Sequence, residues 1–453
     1  MSPSSAIRYS TKITPALSQL IEQGSGASTI ASAIEAEIAG GELTPRTKLP
    51  PVRDLAHDLA VSPATVAAAY RTLRQRGLVK ANGRRGTVVT NRPTLLSRPG
   101  RSLPPNTRDL ARGNPDPALL PPLDPALRRL DTRHRLYGEP AKLERLVELA
   151  RADFAQDGVA GEIAIAGGAL DGIERALQSR LHPGDRVVVE DPTWPRITDL
   201  VHALALEPEP VPLDEIGLDA DALEHALDRG AAAVILTPRG QNPTGAALDT
   251  GRAKELRAVF SRHRDVLLIE DDYVAAVAGA SYVGLAGATE HWTIVRSVSK
   301  VLGPDLRIAP MAGDPLTIGR IEGRQLVGAG WVSHLLQQTA AELWAAAGTK
   351  KLLARAERTY AERRSALVEA LASHDIDAHG GSGLGVWVPV AEEVPVVQHL
   401  LELGWAVSAG ERYRFRTSPG IRITTATLET AEADALATAI AESLLSAPET
   451  YAG

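Results

Sequence analysis

There is no cysteine among the 453 residues, which removes disulfide frameworks, thiol nucleophiles and cysteine–zinc sites together. Nor is there an uncharged apolar run near the length that a membrane-spanning helix requires. The first stretch, Met1 to Leu17, is polar and lacks the apolar centre of a secretory signal. These gaps imply a soluble protein of a reducing, cytoplasmic compartment with no membrane partner and no metal held by thiolates. Carboxylates are missing locally as well: from Val61 to Thr90 there are six basic residues and no acidic one. What remains is ordinary for globular protein, 44% apolar and 23% charged, with length enough for two or three domains.

The net charge of −6 is unevenly spread. Residues 1–90 hold 11 Lys and Arg against 6 Asp and Glu, whereas the rest holds 38 against 49. A basic block on an acidic body is the pattern expected where one segment meets a polyanion. The local pattern agrees. Ser28 is suited to cap a helix with Ile30, Ile34 and Ile38 on one face, ended by Gly40-Gly41. Pro50-Pro51 opens a short helix carrying Val52, Leu55 and Leu59. Ser62 caps a third, with Pro63 at its first position, a stripe of Val66, Tyr70 and Leu73, and a stop at Gly77. Leu78 to Ala81, a turn at Asn82-Gly83 and Thr87 to Thr90 then read as a hairpin.

Three helices and a hairpin make a winged helix-turn-helix, expected to bind double-stranded DNA. Its third helix would enter the major groove with Ser62 and Thr65 leading, Arg53 would clamp the backbone, and Arg84 and Arg85 would reach from the wing. The run Lys48-Leu-Pro-Pro-Val-Arg53-Asp-Leu-Ala, then Val61-Ser-Pro-Ala-Thr-Val66 and Gly86-Thr-Val, closely resembles the winged helix of the GntR family. Pro63 and Ala64 depart from it, since neither offers the longer polar side chain usual there. The boundaries expected are 1–90 for this domain, with its core from about residue 27, then a proline-rich linker over 91–107.

From residue 108 to 453, short β-branched runs alternate with helical stretches. Arg186–Val189, Ala232–Leu236, Val266–Glu270 and Thr293–Val298 read as buried strands, and Asp249–His263 as a helix between two of them. That alternation predicts an α/β body with a largely parallel sheet. A large lobe is expected over about 150–330. A small lobe is expected from 108–149 with 345–453, where Lys350–Ser373 is helical and Gly385–Val390 and Ile421–Thr424 are strands.

Chemistry gathers at the strand ends. Lys300, one of only eight lysines, follows a strand in Arg296-Ser-Val-Ser-Lys300; desolvated there, its amine is suited to Schiff-base chemistry with an aldehyde. Ser297, Ser299 and Arg307 are suited to a phosphate. Asp271, in Glu270-Asp271-Asp272, can pair with a pyridinium nitrogen, and Tyr273 and Asn242 can meet a ring hydroxyl. Gly167-Gly168-Ala169 offers bare backbone N–H groups at a helix start, and Trp194 offers a flat ring for stacking. Each feature alone has a plainer reading as a turn, a surface loop or core packing.

Together and in this order they resemble the fold-type I aminotransferases, which use pyridoxal 5′-phosphate (PLP). The resemblance implies that Lys300 bonds the cofactor, Asp271 meets the ring nitrogen, Asn242 and Tyr273 the ring hydroxyl, and Trp194 the ring face. It assigns phosphate to Gly168, Ala169, Ser297, Ser299 and Arg307, and gives Tyr137 to a neighbouring subunit's phosphate, hence a homodimer. Arg422 matches the arginine that takes a ligand carboxylate, with Arg196 as a second anion contact. Gly167 replaces the usual hydroxyl residue, and Ala275 to Ala278 replace acidic and aromatic ones. A GntR winged helix joined to such a body resembles the MocR group of bacterial regulators. The implied function is a transcription regulator that senses PLP, an amine or an amino acid. The alternative is a working PLP-dependent aminotransferase with an accessory DNA-binding domain.

Overall fold

The computed structural model describes residues 21, 25–40, 42–44, 47–75, 78–81, 86–89 and 103–445. The chain divides into two compact units, one built on the N-terminal helices and one on most of the chain beyond the linker.

In the first unit, helix α1 (Ala27–Gly40), α2 (Val52–Asp58) and α3 (Pro63–Gln75) enclose an aliphatic core. Ile30, Ile34, Leu55, Leu59, Val66 and Leu73 are fully buried there, whereas Ile38 is only partly covered. Helix α1 begins at Ala27, one residue before the expected cap, because the Gly26 carbonyl already accepts the Ile30 N–H at 3.1 Å. Ser28 therefore lies inside the first turn. Ser62 does cap α3: its Oγ accepts the Thr65 N–H at 3.1 Å and lies 2.9 Å from Thr65 Oγ1. Strands β1 (Val79–Ala81) and β2 (Thr87–Val89) pair antiparallel, and Lys48 bridges to Val88 beyond them. The turn at Asn82-Gly83 and the wing arginines Arg84 and Arg85 lie outside the described residues.

Tyr70 ties this core together. It is buried on α3, and its hydroxyl donates to the Pro50 carbonyl at 2.8 Å, just ahead of α2. Tyr70→Phe should leave that buried carbonyl unpaired and cost the N-terminal unit about 1 kcal/mol, read from its denaturant midpoint. An unchanged midpoint would show that the bond contributes nothing.

In the second unit, strand β3 is Arg108–Asp109 and the main sheet holds β4 (Glu162–Ala166), β5 (Arg186–Asp191), β6 (Glu207–Asp214), β7 (Gly217–Leu218), β8 (Ala231–Leu236), β9 (Leu267–Asp272), β10 (His291–Arg296) and β11 (Ala309–Gly313). Their order is β4-β11-β10-β9-β8-β5-β6-β7. The central run β10-β9-β8-β5 is parallel, and β11 is antiparallel to both its neighbours. Nearly every residue of these central strands is buried, which is why they read as continuous apolar runs rather than alternating ones. All four carboxyl ends open on the same edge, where ligands of such sheets bind. The helix Ala169–Gln178 lies close against the sheet; a Cβ on its Gly172 would stand 2.9 Å from Met311 Sδ.

A second, smaller core surrounds β12 (Gly385–Pro389), β14 (Ser408–Ala409) and β15 (Gly420–Thr424), with β13 (Trp405–Ala406) beside β3. Leu110, Leu367, Val386, Ile421, Ile423 and Leu436 belong to it. The lobe boundary differs from the expected one. Leu119, Ala126, Leu146 and Val147 pack into the large-sheet core, as do Ala340, Leu343 and Tyr360. Of the chain between 108 and 149, only Leu110 is among the buried residues of the small-lobe core. Among the described residues no helix is long and apolar enough to cross a membrane.

Candidate functional site

A cavity of about 400 Å³ opens at the carboxyl ends of the parallel strands. Lys300, Asp271, Asn242, Tyr273, Trp194, Ala169, Ser297, Ser299, Arg307 and Arg422 all line it. The ends of β5, β8, β9 and β10 and the segments after them deliver most of these residues, while Ala169 comes from the helix start after β4 and Arg422 from β15 in the small lobe. Strand alternation explains which acid enters. Asp271 and Tyr273 face the cavity, whereas Glu270 and Asp272 point to the other side of the sheet. Glu270 there accepts the Tyr282 hydroxyl at 2.7 Å and the Leu285 N–H at 2.8 Å.

Asp272 is the hub of a buried ion cluster. Arg239 grips both its oxygens at 2.8 and 2.9 Å, and Arg296 adds a bond at 2.7 Å. Arg296 reaches on to Asp153 and Asp157, each at 2.6 Å. Burial pushes the Asp272 carboxyl up, but the bonds and charges of the two arginines more than offset it, and it stays below the usual carboxylate range. These side chains alternate in sequence with cavity-lining ones, so the cluster pins the backbone that carries Asp271 and Ser297.

Asp271 has no such partner. It is 4% exposed, and its Oδ1 is buried without a hydrogen bond. Burial, then the charges of Asp272 and Glu190, push its carboxyl up to about 8. The Asn242 Oδ1 is likewise buried and unbonded. Lys300 is half-buried, and burial, then the Arg422 charge, bring its amine down to about 8. Its Nζ donates to the Gly113 carbonyl. The Tyr273 hydroxyl donates to the Gly240 carbonyl at 2.8 Å.

At the opposite end, Gly168 caps the helix Ala169–Gln178 with φ of 109°, a conformation that favours glycine. Arg307 stands so close that a Cβ on Gly168 would collide with its guanidinium, and Arg307 Nη2 donates to the Gly167 carbonyl at 3.3 Å. The Gly167 N–H is bonded to Asp171 Oδ2 at 2.8 Å. Two buried acceptors without donors, an amine of lowered basicity and an arginine at a helix start fit a phosphorylated pyridine aldehyde.

Two expected residues do not join the others. Arg196 is exposed on the helix Pro195–Ala203 and is not part of the cavity wall, because the helix turns its side chain away while Ile197 faces in. Tyr137 is 93% exposed and stacks edge-on against Trp331 at 5.6 Å, outside its own chain's cavity. Trp331 and His334, which carried no sequence pattern, flank this corner; His334 Nε2 lies 3.0 Å from the Pro140 carbonyl.

Glu190, Asn114 and Tyr413 line the cavity without having been expected there. Glu190 receives bonds from Thr237 N and Oγ1 and from Gln241 Nε2, at 2.9, 3.0 and 3.0 Å. Burial nonetheless pushes it up to about 7. Its sequence signal was available: an acidic pair, Glu190-Asp191, ends an apolar strand just as Glu270-Asp271 does. Tyr413 arrives from a distant loop and left no such signal.

On the N-terminal unit, Arg53 is exposed at the start of α2, Ser62 is exposed and Thr65 is half-buried. The Ser62 hydroxyl is engaged in capping.

Residues 126–440 match the aminotransferase class I and II family, and residues 27–89 match the gntR family of bacterial regulatory proteins. The chain therefore belongs to the aminotransferase class I and II family, with a GntR DNA-binding domain ahead of it in the arrangement of the MocR group. It is a DNA-binding transcription regulator whose larger domain binds PLP. The vitamin B6 salvage pathway transcriptional repressor PtsJ of Salmonella typhimurium is 38% identical over 93% of this chain and 99% of its own. The pyridoxine biosynthesis transcriptional regulator PdxR of Corynebacterium glutamicum is 30% identical, over 74% and 76% of the two chains. Among solved structures, an archaeal alanine:glyoxylate aminotransferase matches 74% of this chain and 90% of its own, with a TM-score of 0.68 at 22% identity. The Thermus thermophilus enzyme LysN, complexed with N-(5′-phosphopyridoxyl)-L-leucine, matches 75% and 92% with a TM-score of 0.67 at 22% identity. These two establish likeness of fold.

Proposed function

We propose that this protein adjusts its affinity for operator DNA in response to PLP, and that its targets are genes of vitamin B6 supply. The observation that carries this is the cavity pairing Lys300 with an unpartnered, buried Asp271 in a chain that also bears a GntR domain. Names of the relatives PtsJ and PdxR supply the B6 connection.

In this reading Lys300 captures the aldehyde and Asp271 holds the ring nitrogen. Asn242 and Tyr273 meet the ring hydroxyl, and Trp194 covers the ring. Gly168, Ala169, Ser297, Ser299 and Arg307 hold the phosphate, and Arg422 takes the carboxylate of an amino-acid ligand. When bound, PLP supplies an aldehyde carbon for amines and an electron-withdrawing ring. The exposed Tyr137 is assigned to the cavity of a second copy in a homodimer. On DNA, Arg53 and the wing arginines meet phosphate while Ser62 and Thr65 face the groove. The reducing cytoplasm is its compartment.

The cavity volume lies within the range of small-ligand sites and accommodates an amine beside the cofactor, which favours aminotransferase turnover as the second reading. Multiple turnovers of an amino acid with a keto acid, lost in Lys300→Ala, would decide for it.

The regulatory reading is tested by operator binding to the gene's upstream DNA with and without PLP. Affinity should shift with PLP and fall steeply with salt. Arg53→Ala should weaken it at all sequences and reduce the salt slope by about one. An affinity indifferent to PLP would overturn the sensing role, and an unchanged slope would remove Arg53 from the interface.

A further inference from the structure

Two cations of the cavity rest on the backbone of one tripeptide. Arg422 is 5% exposed and makes no ion pair among the described residues. Its Nη1 donates to the Ala111 carbonyl at 3.2 Å, and its Nε is buried without a partner. Two residues further on, the Gly113 carbonyl accepts from Lys300 Nζ. The contact leaves little room: a Cβ on Gly113 would stand 3.0 Å from Arg422 Nη2. Cations removed from water need acceptors. Here backbone carbonyls supply them.

Asp109 shapes that tripeptide. Its Oδ1 accepts the N–H of Ala111 at 3.1 Å and of Arg112 at 3.2 Å, and its Oδ2 pairs with Arg112 Nε at 3.2 Å. The Ala111 carbonyl has a second donor in Ser408 Oγ at 3.0 Å, whereas among the described residues Lys300 is the Gly113 carbonyl's hydrogen-bond donor. Upstream, β3 is fastened to the small lobe. Arg108 N donates to Gly404 O and Leu110 N to Ala406 O, both at 2.9 Å, and Thr424 N donates to Leu110 O at 2.8 Å. The chain before β3 is the one that continues into the linker.

When the Lys300 amine condenses with an aldehyde, a C=N bond forms and the aldehyde oxygen leaves as water with two amine hydrogens. The nitrogen then ceases to serve the Gly113 carbonyl. A ligand carboxylate drawn to Arg422 competes with the Ala111 carbonyl in the same way. We infer that Asp109 is a positioning residue: it presents the Ala111 and Gly113 carbonyls to Arg422 and Lys300 as internal stand-ins for ligand. Filling of the cavity by PLP then releases the segment leading to the linker. The inference rests on the regulatory reading above.

The test uses the full-length protein with PLP as the only ligand. Hydrogen exchange of the peptide spanning 108–114 should quicken on PLP addition in the unaltered chain. Asp109→Ala, which removes the acceptor, should exchange quickly from the start and hold PLP's effect on operator affinity to within twofold. Asp109→Asn keeps an acceptor oxygen and should behave as the unaltered chain does. Borohydride reduction and mass spectrometry follow the Lys300 adduct in each case. A full PLP response in Asp109→Ala with the adduct formed would overturn the inference alone. So would unchanged exchange over 108–114 in the unaltered chain once its adduct has formed. Absence of the adduct or of any PLP response in the unaltered chain would overturn the regulatory reading, and the inference with it.

Discussion

Lys300→Ala should abolish covalent capture of PLP: no adduct survives borohydride reduction, and the visible absorbance of the mixture is that of free PLP. The expectation follows from placement. Among the described residues Lys300 is the only lysine in the cavity wall, on the segment that follows β10, within one cavity with Asp271 and Arg307. Only the neutral amine attacks an aldehyde, and burial together with Arg422 has brought this amine down to about 8. The capture rate of the unaltered protein should therefore rise with pH and level off above about 8, well before an ordinary lysine would. A retained adduct on another peptide would remove Lys300 from its role. A rate still climbing steeply beyond pH 9 would mean that the amine is not desolvated as the cavity implies.

Asp271→Ala should weaken PLP affinity by roughly a hundredfold or more, the scale of breaking one buried charge pair. Equilibrium titration by absorbance measures it. The unaltered protein carries a matching pH signature. Without ligand, the Asp271 carboxyl is raised to about 8, so folding is favoured at low pH, where the group is protonated in both states. That contribution is lost as pH rises from the ordinary carboxylate range towards 8, because the unfolded chain ionises first. A protonated ring nitrogen stabilises the charged carboxylate and cancels the loss. The rise in melting temperature produced by PLP should thus grow between about pH 5 and pH 8, and Asp271→Ala should flatten that growth. A PLP effect independent of pH would show that Asp271 does not face the ring nitrogen.

Much of this site was legible in the chain because it is assembled from strand ends. Strand β9 and its neighbours are apolar runs closed by Asp271, Asn242 or Lys300, and each such junction is a local signal. The winged-helix core was legible for a similar reason, since Ile30, Ile34, Val66 and Leu73 repeat at helical spacing. Other parts needed three dimensions. Strand β11 leaves little signal, because Ala309–Gly313 is short and rich in alanine and glycine. The small-lobe boundary was misplaced because Leu119 and Leu146 look alike whichever core receives them. Arg196 was grouped with the site through nearness to Trp194, yet a helix turns successive residues by about 100° and carried it away. Tyr413 and the Asp272 cluster bring together segments far apart in sequence, for which no local pattern exists.

The capping bond of Ser62 bears on how operators would be told apart. With that hydroxyl committed to the Thr65 amide, and with Pro63 and Ala64 beside it, the leading turn of α3 has few groups able to interrogate base edges. Discrimination would then fall chiefly on how readily a sequence bends and how narrow its grooves are. Operators of such a regulator would share mechanical character more than a strict consensus, and related genomes could drift in letters while keeping the same response.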